Sequence, residues 1–269
     1  MNINRIVITL ATALAAITTL SHAATLTVDT TKDAPILNVS GYTTDNFGGH
    51  AELQTGYVTA GGNNGPQHGL LGFDISSLSS DWDNVESVDS VTLRLHVAAT
   101  DHLNGDLTLG AYTLIDANTD WVEGTGTSAN DTSGVTWNYK DQSTSTAWDS
   151  GIGFAASDYN ATELASVDFS STSKPAVDST IDFNLGNTDL YTLLDGWLDN
   201  SGKGTVMLMG TAGAGSTNRM KWHSLQETTS GTGAYVPELI INYTIPEPAS
   251  LALLGLGVTI LLGRCRRRV

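Results

Sequence analysis

The chain has 269 residues, 40% of them hydrophobic and 15% charged, with 28 glycines and 6 prolines. That composition excludes a coiled coil, a collagen-like chain and a highly charged disordered protein, and the length suits one large β domain or two small ones. Twelve basic residues against 28 acidic ones leave a net charge of -16, which repels phosphate backbones and argues against nucleic-acid binding.

In chain order, the first element is a leader. Asn4 and Arg5 precede an apolar run from Ile6 to Leu20, followed by Ser21-His22-Ala23. A basic start, an apolar centre and small residues at the -3 and -1 positions predict a secretory signal peptide over residues 1–23, cut after Ala23 with Ala24 as the next candidate. An uncleaved anchor is the alternative.

Strand signals fill the body. Leu70, Leu71, Phe73 and Ile75 form an apolar stretch, and Val91, Leu93, Leu95 and Val97 alternate with Thr92, Arg94 and His96. That alternation is the period-2 pattern of a half-buried strand. Leu107 and Leu109 alternate with Thr108 and Gly110, and Ile181, Phe183 and Leu185 make a further stretch. Val206-Met207-Leu208-Met209 and Leu239-Ile240-Ile241 read as strands buried on both faces or central in a sheet. Residues 60–65, 125–134 and 210–218 carry turn chemistry.

One helix is predicted over residues 189–200. Leu190, Leu193, Leu194, Trp197 and Leu198 share an apolar face, Asn187 or Thr188 can cap the start, and Gly202 follows the end. Many short strands and one helix predict an all-β fold, an antiparallel β-sandwich of jelly-roll type spanning residues 24–244. This body has seven basic and 27 acidic residues, a net charge near -20. The sole cysteine, Cys265, lies beyond it, so the body is held by its core rather than by a disulfide.

The tail begins with Ile245-Pro246-Glu247-Pro248-Ala249-Ser250, continues through apolar residues 251–263 and ends in Arg264-Cys265-Arg266-Arg267-Arg268. A hydrophobic helix is expected there, shorter than the roughly 20 residues that comfortably span a bilayer. The arginines would hold its end in the cytoplasm. This order over residues 245–269 resembles the PEP-CTERM sorting signal, with Pro246, Glu247 and Pro248 as the motif. The resemblance implies processing by an exosortase-type membrane transpeptidase in a Gram-negative bacterium that makes exopolysaccharide. The protein would pass transiently through the inner membrane to the outer membrane, cell surface or biofilm matrix. An ordinary C-terminal anchor is the alternative.

Within the body, Asn46-Phe47-Gly48-Gly49, residues 51–56, residues 70–78, residues 88–95, Asp120-Trp121-Val122-Glu123-Gly124 and Val135-Thr136-Trp137-Asn138 occur in order. Trp197-Leu198-Asp199-Asn200, Ser224, Glu227 and Pro237-Glu238-Leu239 follow. The series resembles the DNRLRE-type domain, also called disaggregatase-related, across most of residues 25–244. The resemblance implies a β-sandwich, usually an accessory domain, with carbohydrate-binding modules among its relatives. The stretches 79–86, 124–134 and 151–164 depart from the pattern as long acidic insertions, and no catalytic domain is attached.

Catalytic chemistry finds little support. The body has no Gly-x-Ser-x-Gly elbow, and His50, His68, His96, His102 and His223 lack zinc spacing. His50 and His68 fall among glycines and asparagines, where solvated side chains are expected. With 27 acids, a pair of carboxylates carries no information about glycoside cleavage. A non-enzymatic role is therefore expected, with a polysaccharide-acting lyase or hydrolase as the alternative.

Calcium is the one cofactor the residues suggest. Asp116, Asn118 and Asp120 alternate as oxygen ligands, with Glu123 close behind. Trp121 replaces the turn glycine of an EF-hand loop, so solvated acids beside a buried Trp121 are the alternative. Asp81, Asp83 and Glu86 form a weaker set. Sugar binding needs exposed aromatic faces. Trp82, Trp137, Tyr139, Trp148 and Trp222 are candidates, whereas Trp121 and Trp197 are expected in the core. Arg219, Lys221, Trp222 and His223 form the one basic-aromatic cluster and are the candidate glycan site, the three basic residues sharing a strand face.

Overall fold

The computed structural model describes residues 21–60, 63–210, 217–227 and 235–246. The predicted C-terminal hydrophobic helix, Glu247 and Pro248, and most of the leader lie outside them. Among the described residues the strands are β1 (Ser21–Asp29), β2 (Lys32–Leu37), β3 (Glu52–Ala60), β4 (Asn63–Asp74), β5 (Ser87–Ala99), β6 (Leu107–Thr113), β7 (Tyr139–Asp141), β8 (Thr146–Ala147), β9 (Ala165–Phe169), β10 (Thr180–Asn184), β11 (Lys203–Gly210), β12 (Asn218–His223) and β13 (Glu238–Pro246). The helices are α1 (Ser79–Trp82) and α2 (Leu190–Asp199). The fold is all-β, and every strand pairing among these residues is antiparallel.

The main sheet runs β1-β13-β5-β12-β3-β4-β11-β6-β9, with β10 also on β5 and β2 also on β4. β5 explains how it curls. Its first half pairs with β13, its middle with β10, and its end passes to β12. The predicted alternation holds along it: Val91, Leu93, Leu95 and Val97 are buried, while Arg94 points outward and grips Asp182 of β10 through Nε at 2.9 Å and Nη2 at 3.0 Å. The inward residues meet Leu71, Phe73, Leu109, Val206, Leu208, Trp222, Leu239 and Ile241 in one core.

A second core lies on the other face of β4, β6 and β11. Ile36, Leu70, Tyr112, Leu114 and Met207 pack there with Trp121, Val135, Trp148 and Phe154. Val206 and Leu208 thus serve the inner core and Met207 the outer one, so the apolar run of β11 is that of a strand covered on both faces. The covering layer comes from the loop-rich stretch between β6 and β9.

Helix α2 falls within its predicted range, with Leu194 and Trp197 buried. Its cap is Asp189 rather than Asn187 or Thr188. Asp189 directly precedes the first helical residue, so its carboxylate reaches Tyr191 N at 3.1 Å and the Thr192 hydroxyl at 2.7 Å. Strands β1 and β13 extend past the expected body, to Ser21 at one end and Pro246 at the other.

Candidate functional site

Strand β12 places Arg219, Lys221 and His223 on one face and Met220 and Trp222 on the other, as a period of two requires. Trp222, expected among the exposed aromatics, is instead fully buried. Its ring meets Phe169 and Phe183 edge-on at 5.9 and 6.2 Å, and its Nε1 donates to Thr55 Oγ1 at 3.0 Å. Trp82 and Trp148 are buried too, the first donating to Asp195 at 2.7 Å and stacking on Tyr191. Trp137 and Tyr139 remain half-exposed, and Trp121 and Trp197 are in the cores as expected.

The three basic side chains differ in their partners. Lys221 Nζ lies 3.0 Å from Glu52 and 3.8 Å from Asp101. His223 meets Asp178 at 2.9 Å and Glu227 at 3.4 Å and stacks on Tyr235. Arg219 has amides instead. Its Nη1 donates to Gln54 Oε1 at 2.8 Å and approaches Gln67 Oε1 at 3.5 Å, while its buried Nε has no partner among the described residues. Burial lowers its pKa, against the pull of Asp101 and Glu52, and a guanidinium in this position keeps its charge.

Beside Arg219 lies a cavity of about 200 Å³, lined also by Tyr42, Phe47, Gln54, Val58 and Gln67. Gly56 lets the strands close behind it. Opposite Arg219 in the ladder, it has φ +129°, and a Cβ there would lie 2.4 Å from the Asn218 carbonyl oxygen. Asn46, fully buried next to Phe47, fixes the rim. Its Nδ2 donates to the carbonyls of Glu123 and Val135 at 2.7 and 2.8 Å, and its Oδ1 accepts from Gly48 N and Gly126 N at 3.2 and 2.9 Å. Two aromatic rings, two amides and one cation can meet the C–H faces, hydroxyls and carboxylate of an acidic sugar. Gln54 and Gln67 were missed in the sequence because only the β3–β4–β12 register joins them to Arg219, and Tyr42 because it comes from the separate turn between β2 and β3.

The four calcium candidates are not brought together. Asp116 starts a 3-10 turn, and buried Asn118 donates to Asp158 and accepts from Asp149 N at 2.9 Å. Asp120 pairs with Lys140 at 2.7 Å, and Glu123 accepts from Asp33 N at 2.6 Å and Gln226 Nε2 at 2.9 Å. No cluster of three or more acidic, histidine or cysteine side chains forms a cation site among the described residues.

Two buried titratable groups, Asp33 and His68, and the half-buried Lys32 lie off the cavity. The carboxyl of Asp33 is pushed up to about 8 by burial, against the Leu225 N–H that donates to it at 2.6 Å. The Lys32 ammonium lies over the Trp121 ring, donates to the carbonyls of Thr119 and Trp121, and is lowered to about 8 by burial. His68 was expected in a solvated loop, but it lies within β4 against Trp137 and Phe154, where burial lowers its pKa to about 4.

The family model for the PEP-CTERM protein-sorting motif matches residues 244–268. No curated protein matches the chain. The motif marks an exported protein that an exosortase sorts at the membrane for the cell surface.

Proposed function

We propose that this exported protein is a non-catalytic component of the outer membrane, cell surface or exopolysaccharide matrix, and that its sandwich binds an acidic polysaccharide at the Arg219 cavity. Its leader would be removed after Ala23 and its tail at the Pro246-Glu247-Pro248 motif. The observation that carries the binding reading is the Arg219 guanidinium. In a body with a net charge near -20, it is held by two glutamines rather than by a carboxylate, beside Tyr42 and Phe47. Such a cation is available to a ligand acid, whereas Lys221 and His223 are already met by acids of the protein. The resemblance to DNRLRE-type domains, with carbohydrate-binding modules among their relatives, leans the same way.

Calorimetric titration with uronate-containing and neutral glycans tests this. Binding of the acidic glycans alone is expected. Arg219→Gln should weaken it by about 10- to 100-fold, the usual worth of a charged hydrogen-bonded pair. Unchanged affinity in that variant would remove the Arg219 site, and release of shortened glycan would turn the reading to a lyase or hydrolase.

A further inference from the structure

Strands β1 and β13 lie side by side at one edge of the sheet, where Ser21 faces Pro246, His22 faces Ile245 and Ala23 faces Thr244. On its other side β13 pairs with β5 only as far as Thr244, opposite Ser87, where Glu86 N donates to the Thr244 carbonyl at 2.8 Å. Ile245 and Pro246 therefore have strand partners on one side alone, and those partners are His22 and Ser21. Both belong to the leader whose removal after Ala23 is proposed above, and Pro246 opens the sorting motif. Ile245 is half-buried against the edge of the main core and Pro246 is exposed, so beyond that one apolar contact it is pairing with the leader that holds them.

We infer that removal of the N-terminal leader releases the start of the C-terminal sorting motif, so that the two processing cuts occur in a fixed order. The inference rests on the leader and sorting readings given above. The first cut is a hydrolysis: water adds across the Ala23–Ala24 amide, leaving a carboxylate on Ala23 and an ammonium on Ala24. β1 then starts at Ala24, opposite Tyr243. Tyr243 is buried in the core and Thr244 keeps its β5 partner, so the release stops there and the freed stretch begins at Ile245. A membrane protease takes its substrate extended, with backbone N–H and C=O groups open to its own, and a segment still paired to the leader does not offer them. The second cut breaks one backbone amide at the motif, its acyl group passing to water or to an amine.

Pulse-labelling with intact-mass readout in the native host tests the order with three precursors. The wild type should lose its tail promptly after its leader. Ala23→Gln, which blocks the cut, should retain both ends. The third precursor combines Thr18→Ala, Leu20→Ala and Ala23→Gln, which moves the cut to follow residue 20. It gives a free N-terminus that keeps residues 21–23, and its tail should be lost at least about threefold more slowly than that of wild type. Tail loss at the wild-type rate from that chain would overturn the inference alone, and a wild type that keeps its tail would overturn the sorting reading with it. Amide exchange at Ile245 gives a second readout, in tail-bearing protein taken from cells without the sorting enzyme. Chains starting at Ala24 should exchange at least tenfold faster than chains starting at Ser21, and equal rates would overturn the release.

Discussion

Asn46 satisfies four backbone groups, one in its own turn at Gly48 and three at Glu123, Gly126 and Val135, from a fully buried position. Removing the amide leaves those groups buried and unpaired, which costs more than the bonds themselves contributed. Asn46→Ala should lower stability by about 3 kcal/mol in a urea titration and weaken glycan binding as well, because Phe47 loses its support. Asp33 poses the opposite case, a buried carboxyl that stability would gain from losing. Its proton is held up to about pH 8 in the fold, while an unfolded aspartate releases it near 4. The folded state thus binds more protons across that window, and stability falls as pH rises through it, with a slope of at most about 1.4 kcal/mol per pH unit. His68 works the other way, its contribution being lost as pH falls from 6.5 toward 4, and Lys32, lowered to about 8, opposes Asp33 above that pH, so the clean range for Asp33 lies between about pH 7 and 8. Asp33→Asn can still accept from Leu225 N, and it should unfold at a higher temperature than the parent at pH 9 while matching it at pH 4. Trp222 shows what was legible at this scale. The alternation that aligned Arg219, Lys221 and His223 also put Trp222 beside apolar Met220, on the face that had to be the core.

Whole strands were legible where one face was apolar and the other polar, as in β5, or where both faces were apolar, as in β11. β2 was not, because its sequence Lys32-Asp33-Ala34-Pro35-Ile36-Leu37 carries two charges and a proline. The structure accommodates Pro35 because β2 pairs with β4 alone, which leaves one side free of ladder hydrogen bonds. The stretch between β6 and β9 read as turns because its order comes from side chains rather than from a period. Asp158, fully buried, accepts from Ser150 N, the Ser150 hydroxyl, Ala155 N and Asn118 Nδ2 at 2.6–3.1 Å. At the turn after Trp121, Gly124 has φ +79°, and a Cβ there would fall 1.5 Å from the Ser133 carbonyl oxygen. Spacing in the sequence announces neither feature. Asp158→Ala should therefore release the cover over the second core before the sandwich unfolds. The expected sign is a red shift in tryptophan fluorescence, as Trp148 meets water, at a temperature where the β-sheet circular dichroism is unchanged.

At the scale of the molecule, the acidic body and a single available guanidinium act on an acidic polysaccharide in opposite directions. Seven basic and 27 acidic residues between the two predicted cuts repel a polyanion over the Debye length, about 30 Å at 0.01 M salt and about 8 Å at 0.15 M. The Arg219 contact acts at hydrogen-bond range in a partly desolvated cavity, and salt weakens it much less. Chain length decides which effect wins. A uronate disaccharide carries too little charge to feel the far field strongly, so its affinity should fall slightly as salt rises. A long polyuronate brings many charges near the whole acidic surface, and its association rate should rise several-fold between 0.01 and 0.15 M salt. That sign is opposite to the one expected when charge attraction steers binding. Stopped-flow association with the two ligands across that range is the measurement. A polymer rate that falls with salt would mean that other basic residues of the body, rather than Arg219 alone, receive the glycan.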